Sequence, residues 1–214
     1  MTTDHIVFIV DDDERLREAL SELLAAHGMA AMTFGSAGAY VASDKPDLPA
    51  CLILDVSLPD INGLALQMQI AQADHPPIVF ITGYGDVPSS VQAMKRGAVD
   101  FLTKPFGDTE LMAAVHIAIE RDRRARTERA ELNALQQRYI SLTRREREVL
   151  PLVVSGLLNK QAAAQLGISE VTLQIHRRNV MQKMAASSLA DLVRIAERLD
   201  VPVTHSRTGG RSLA

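Results

Sequence analysis

Residues 5–14 read HIVFIVDDDE: an apolar, largely β-branched run that breaks abruptly into four acids. That is the pattern of a strand covered on both faces and ending at a polar edge. It returns downstream in AAMTF (30–34), CLILD (51–55), PIVFIT (77–82) and VDFL (99–102), with helix-like stretches between. LREALSELLAAHG (16–28) places leucines at 16, 20, 23 and 24 and stops at Gly28, and VPSSVQAMKRG (87–97) stops likewise at Gly97. Strands that run apolar throughout and alternate with helices form a parallel sheet covered on both sides. Residues 1–120 therefore read as an α/β domain, a doubly wound five-stranded parallel sheet. In such sheets the ligand site lies beyond the carboxyl ends of the strands.

Past residue 107 strand signals cease. A helix is expected to start near Asp108 and to continue as a linker over 121–138; Leu132, Leu135 and Tyr139 recur at helical spacing. From Thr143 the segments TRREREVLPLVVSG, NKQAAAQLG, SEVTLQIHRRNVMQKM and SLADLVRIAERLD read as an all-α, four-helix domain over 139–201. Residues 202–214 read as a disordered tail.

The composition, 47% hydrophobic and 23% charged, is that of a soluble globular protein. No apolar run nears the ~18 residues a membrane helix needs, so no membrane association is expected. The amino terminus lacks a basic n-region, and the single Cys51 excludes an internal disulfide framework and a multi-cysteine zinc site. These features predict a cytoplasmic chain. The net charge of −3 conceals a split. Residues 1–120 hold 6 Lys and Arg against 17 Asp and Glu, whereas residues 141–214 hold 11 against 6. An acidic half joined to a basic half predicts two domains with different partners, the basic one meeting a polyanion such as nucleic acid.

Polar residues stand at four strand ends: Asp11, Asp12 and Asp13 after the first, Asp55 closing the third, Thr82 closing the fourth, and Lys104 after the fifth. Each alone is an ordinary turn or cap residue, and Asp13 is read as the N-cap of the first helix. Together, a parallel sheet gathers several carboxylates into one pocket, where repulsion calls for a cation. Mg²⁺ suits such an oxygen-ligand site. Lys104 adds a fixed positive charge and Thr82 a hydroxyl donor, a set matched to a phosphoryl group on an Asp carboxylate.

VDDDE, LDVSLPDINGL, ITGYGD and DFLTKPF together resemble the receiver domain of two-component response regulators, over roughly residues 5–122. The resemblance implies that Asp55 is the phosphoacceptor, phosphorylated by a sensor histidine kinase. It implies that Asp12, Asp55 and the Ser57 backbone carbonyl bind Mg²⁺ directly, with Asp11 acting through water. Thr82 and Lys104 would hold the phosphoryl oxygens, Phe101 would be the switch aromatic coupled to Thr82, and Lys104–Pro105 would be cis. Leu58 stands where Met is commoner. A haloacid-dehalogenase-type phosphatase shares the nucleophilic Asp and Mg²⁺ but needs a second Asp two residues on, and position 57 is Ser.

In the basic half, Leu173, Val180 and Met184 fall on one face of a helical wheel, while Val171, Gln174, Ile175, Arg178 and Gln182 gather opposite. Ser169 is a natural N-cap, and a helix from Asn159 to Leu166 precedes it across Gly167, which is a helix-turn-helix. The run LTRREREVL to NVMQKM resembles the LuxR-type helix-turn-helix domain of FixJ and NarL regulators, over roughly 139–200, with Ala162 and Gln174 departing from the usual residues. Gln174, Ile175 and Arg178 are assigned to base edges, since Gln suits adenine, Arg guanine and Ile a thymine methyl. Lys160, Thr172, Arg177 and Lys183 are assigned to phosphates. The expectation is a phosphorylation-dependent transcriptional regulator, not an enzyme, that forms a homodimer when phosphorylated and binds double-stranded promoter DNA. A pure signalling relay would leave the basic face idle. An RNA-binding antiterminator would need aromatics, which the segment after Tyr139 lacks.

Overall fold

A computed structural model of the chain describes residues 4–71, 75–83, 85 and 87–202. The expected tail falls almost wholly outside them. The chain divides into two compact units, residues 1–127 and 128–214.

The first unit follows the strict alternation β1 (Ile6–Val10), α1 (Glu14–Ala26), β2 (Ala30–Phe34), α2 (Ala37–Ala42), β3 (Ala50–Asp55), α3 (Gly63–Ile70), β4 (Ile78–Thr82), α4 (Val87–Lys95), β5 (Asp100–Thr103). The strands form one parallel sheet in the order β2-β1-β3-β4-β5. Side-chain alternation along each strand feeds two separate cores. Val7, Ile9, Ile53, Val79 and Ile81 pack with Leu20 and Leu24 of α1, and Ile6, Phe8, Leu52, Leu54 and Phe80 pack with Tyr40 of α2 and Leu66 of α3 on the other face. Both faces are covered, which is why the strands read as unbroken apolar runs.

Local signals fix the ends of the helices. Asp13 caps α1, its carboxylate accepting from the Arg15 and Leu16 amides, and Gly28 turns the chain out at φ 75°. Asn62 caps α3 by accepting from the Leu64 amide.

The helix α5 (Asp108–Ile140) runs unbroken through the stretch read as linker. Leu111, Val115 and Ala118 belong to the first unit's core, and Leu135 to that of the second. The division between the two compact units falls at Thr127/Glu128, within the stretch read as linker. The physical reason lies in Asp122 and Arg126, which are bonded back to the start of β3 and the loop before it.

In the second unit, α6 (Arg144–Val154), α7 (Asn159–Leu166), α8 (Glu170–Lys183) and α9 (Leu189–Arg198) enclose a core of Val149, Leu150, Leu173, Val180, Met184 and Leu192. The α7–α8 turn has Gly167 in the left-handed region at φ 65° and Ser169 capping α8 through the Thr172 amide.

Candidate functional site

The carboxyl end of the sheet gathers Asp11, Asp55, Thr82 and Lys104 from the ends of four strands. Asp11 and Thr82 are fully buried and Asp55 is nearly so, while Asp12 is exposed. Carboxylate oxygens of Asp11, Asp12 and Asp55 lie within 4.8 Å of one another. Lys104 reaches into this cluster, its Nζ 2.7 Å from Asp11 Oδ2 and 3.5 Å from Asp55 Oδ2. The Lys104–Pro105 bond that carries it round is cis, as the resemblance implied.

One ammonium does not balance three carboxylates. Burial pushes the Asp55 carboxyl up, the Lys104 ammonium pulls it down, and Asp11 pushes it up again, leaving it above the ordinary carboxylate value. Asp55 Oδ1 is buried and has no hydrogen-bond partner among the described residues. A buried orphan oxygen beside two further carboxylates is the donor set of a hard divalent cation. The residues present therefore fit a divalent cation such as Mg²⁺, which Asp11, Asp12 and Asp55 would hold.

The loops around the cluster are pinned. Asp11 Oδ1 accepts from the Asp13 amide at 2.8 Å, and the Asp11 carbonyl accepts from Arg17 Nη1 at 2.7 Å. The loop after Asp55 is closed by an isolated bridge between Ser57 and Asn62 and by the Gly63 amide donating to the Val56 carbonyl. Asp60 in that loop accepts from the Ala37 and Gly38 amides, tying it to the start of α2. Phe101 is half-buried, its ring centroid 6.0 Å from that of Phe80. Arg17 and Asp60 were missed in the sequence, where nothing marks an arginine or a turn aspartate as a clamp.

In the second unit the exposed face of α8 carries Gln174, Ile175 and Arg178, with Val171 and Ile175 exposed at 68% and 56%. Lys160 is exposed at the start of α7. The Thr172 hydroxyl shares a hydrogen bond with Ser169 Oγ. Two of the expected phosphate contacts are occupied otherwise. Arg177 Nη1 donates to Asn159 Oδ1 at 2.9 Å, and Lys183 Nζ donates to Glu146 Oε2 at 2.7 Å. Glu146, the partner of Lys183, is a further residue that sequence reasoning overlooked. Its signal was present as T-x-x-E over 143–146, a capping box that the structure forms in full.

Comparison with known proteins agrees with this geometry. Residues 7–116 match the response regulator receiver domain, and residues 140–196 match the luxR family of bacterial regulatory proteins. The chain is 47% identical to nodulation protein W of Bradyrhizobium diazoefficiens, covering 96% of this chain and 91% of that one. It is 42% identical to the transcriptional regulatory protein FixJ of Rhizobium meliloti, covering 91% and 96%. The solved structure of the response regulator StyR superposes with a TM-score of 0.83 at 43% identity, covering 92% of this chain and all of that one. A sheet that ends in an acidic pocket, a helix-turn-helix with an exposed second helix, and relatives that match both halves in one chain lead to one assignment. The chain belongs to the response regulators that join a receiver domain to a LuxR-type DNA-binding domain, a family of transcription regulators rather than enzymes.

Proposed function

We propose that Asp55 is the phosphoacceptor of a two-component phosphorelay, and that its phosphorylation by a sensor histidine kinase switches the affinity of the chain for promoter DNA. The observation that carries this reading is the pocket at the sheet's carboxyl end, where Asp55 shares one small volume with Asp11, Asp12 and Lys104. In the transfer, an Asp55 carboxylate oxygen forms the new bond to phosphorus as the bond to the kinase's histidine nitrogen breaks. Asp11, Asp12, Asp55 and the Ser57 carbonyl would hold Mg²⁺, which when bound would supply positive charge to the phosphoryl oxygens. Lys104 supplies a second cation from the other side, and Thr82 a hydroxyl. Phe101, the aromatic of β5, follows Thr82 and carries the change to the surface formed by α4, β5 and α5.

That surface exposes Val87, Val91 and Met94 on α4 and Ile117 on α5, an apolar set suited to pairing two receivers. Residues 1–120 are the regulatory part, 121–138 the linker and 139–201 the reading part. Gln174, Ile175 and Arg178 read base edges, and Lys160 and Thr172 position phosphates. A homodimer then meets two half-sites of a partly palindromic promoter. The chain acts in the cytoplasm; no helix among the described residues is long and apolar enough to cross a membrane.

The test is acyl-phosphate labelling. Asp55→Ala abolishes labelling while the chain keeps its fold by circular dichroism. Label that persists on another residue overturns the assignment.

A further inference from the structure

The cation at the C-terminal end of the recognition helix has no free charge to offer. Lys183 stands in the last turn of α8, and its Nζ lies 2.7 Å from Glu146 Oε2 and 3.4 Å from the Ser141 carbonyl. Glu146 is 2% exposed, and the same Oε2 accepts from the Thr143 amide at 2.8 Å. One residue on, the carbonyl of the fully buried Met184 accepts from Arg138 Nη1 of α5 at 3.5 Å. The end of α8 is thus fastened to the corner where α5 gives way to α6. A second tie, from Arg177 to Asn159, fastens the middle of α8 to the start of α7.

We infer that Lys183 is a positioning residue for DNA reading: through Glu146 it sets the tilt of α8 and hence the placement of Gln174, Ile175 and Arg178. Two physical arguments separate this role from a phosphate contact. An ammonium in contact with a buried carboxylate acts outward as a dipole, so its attraction for phosphate is largely cancelled. And Gln174 lies nine positions from Lys183, ~13.5 Å of helical rise, so a tilt of ~5° about that end moves it by about 1 Å. Bidentate recognition of a base edge does not tolerate such a shift.

The inference rests on the DNA-binding reading, and its test keeps the two apart. The full chain, kept throughout with Mg²⁺ and beryllofluoride as a phosphoryl mimic, first enriches a duplex from a random-sequence pool. Affinities for that duplex and for a scrambled one are then measured across a salt series for the wild type, Glu146→Gln, Lys183→Met and the double variant. Gln keeps the capping-box bond to Thr143, and the double variant leaves no buried charge unpaired, so it stays folded if either single variant does not. Positioning predicts that Glu146→Gln, although it frees a cation and removes an anion, lowers the ratio of selected to scrambled affinity by about tenfold, or ~1.4 kcal/mol. Lys183→Met lowers the ratio similarly, and the double variant is no worse than either single one because both break the same pair. The salt slope stays at the wild-type value throughout. The inference is overturned if Lys183→Met, alone or in the double variant, weakens both duplexes equally and reduces the slope by about 0.9, which is the loss of one phosphate contact. A wild type that enriches no duplex fails before any variant is made, and removes the DNA-binding reading together with this inference.

Discussion

At the scale of single residues, the acidic pocket depends on a glycine as much as on its carboxylates. A Cβ on Gly63 would clash with the Asp55 carbonyl oxygen and stand 3.1 Å from Val56 Cα, both backbone atoms that cannot swing aside. Gly63→Ala must therefore push the loop that presents Ser57 away from Asp55, at a cost of about 1–3 kcal/mol. Denaturant titration of the receiver unit reads that loss, and an unchanged midpoint would mean that the loop gives way freely. Glu146 supplies a prediction in pH. Burial pushes its carboxyl up, but the Lys183 ammonium and the Thr143 amide outweigh burial and hold it below the ordinary value of 4.5. A carboxylate with a lowered folded-state pKa stabilises above its unfolded value, and that contribution drains away as pH falls through the lowered one. Wild type exceeds Glu146→Gln in stability of the C-terminal unit near neutrality, and the gap closes on acidification below 4.5. A gap that does not vary with pH would show that the pair contributes nothing through charge.

At the scale of elements, α5 shows what a sequence displays and what it hides. RDRRARTER (121–129) reads as a basic linker, yet several of its charges are engaged. Arg121 donates to the Gly97 carbonyl that ends α4, Arg123 pairs with Glu120 and Asp4, and Arg126 pairs with Asp122 and Asp47. Asp122 is 3% exposed and accepts from the Ala50 amide at the head of β3, 72 positions away in sequence. Strand runs, caps and strand-end acids were legible because each is a local pattern that the period of one element dictates. The ties of Asp122, Lys183 and Arg177 were not, because each joins elements whose approach only the folded chain determines. A charged residue on a helix looks the same in sequence whether its partner is water, phosphate or a buried carboxylate. Asp122→Ala leaves the Ala50 amide unsatisfied and Arg126 without its inner partner, so it should cost about 3–5 kcal/mol. Hydrogen exchange at the Ala50 amide should accelerate by up to the matching factor, roughly 10²–10⁴, and an unchanged rate would show that the amide does not depend on Asp122.

At the scale of the whole molecule, the cores are separate although one helix serves both units. The two clusters flanking the sheet draw on residues up to Ile119, and the cluster of the C-terminal unit begins at Leu135. Cooperative unfolding follows shared burial, so the chain should unfold in two calorimetric transitions rather than one. Leu173 is fully buried in the second core, and Leu173→Ala removes about 2–5 kcal/mol from that unit, enough to lower its midpoint by ~8 °C or more. The first transition should not move. Mg²⁺ with beryllofluoride, a phosphoryl mimic that binds the folded acidic pocket, should raise the first transition by mass action, by about 2.7 kcal/mol at a hundredfold excess over its dissociation constant. Whether the second transition follows decides how the switch travels. If it stays in place, the mimic adds no stability to the DNA-binding unit, and regulation must operate through pairing of receivers. If it rises with the first, α5 couples the two cores energetically, and the mimic should then also slow exchange at the α5–α6 corner, where Ser141 and Glu146 hold the end of the recognition helix.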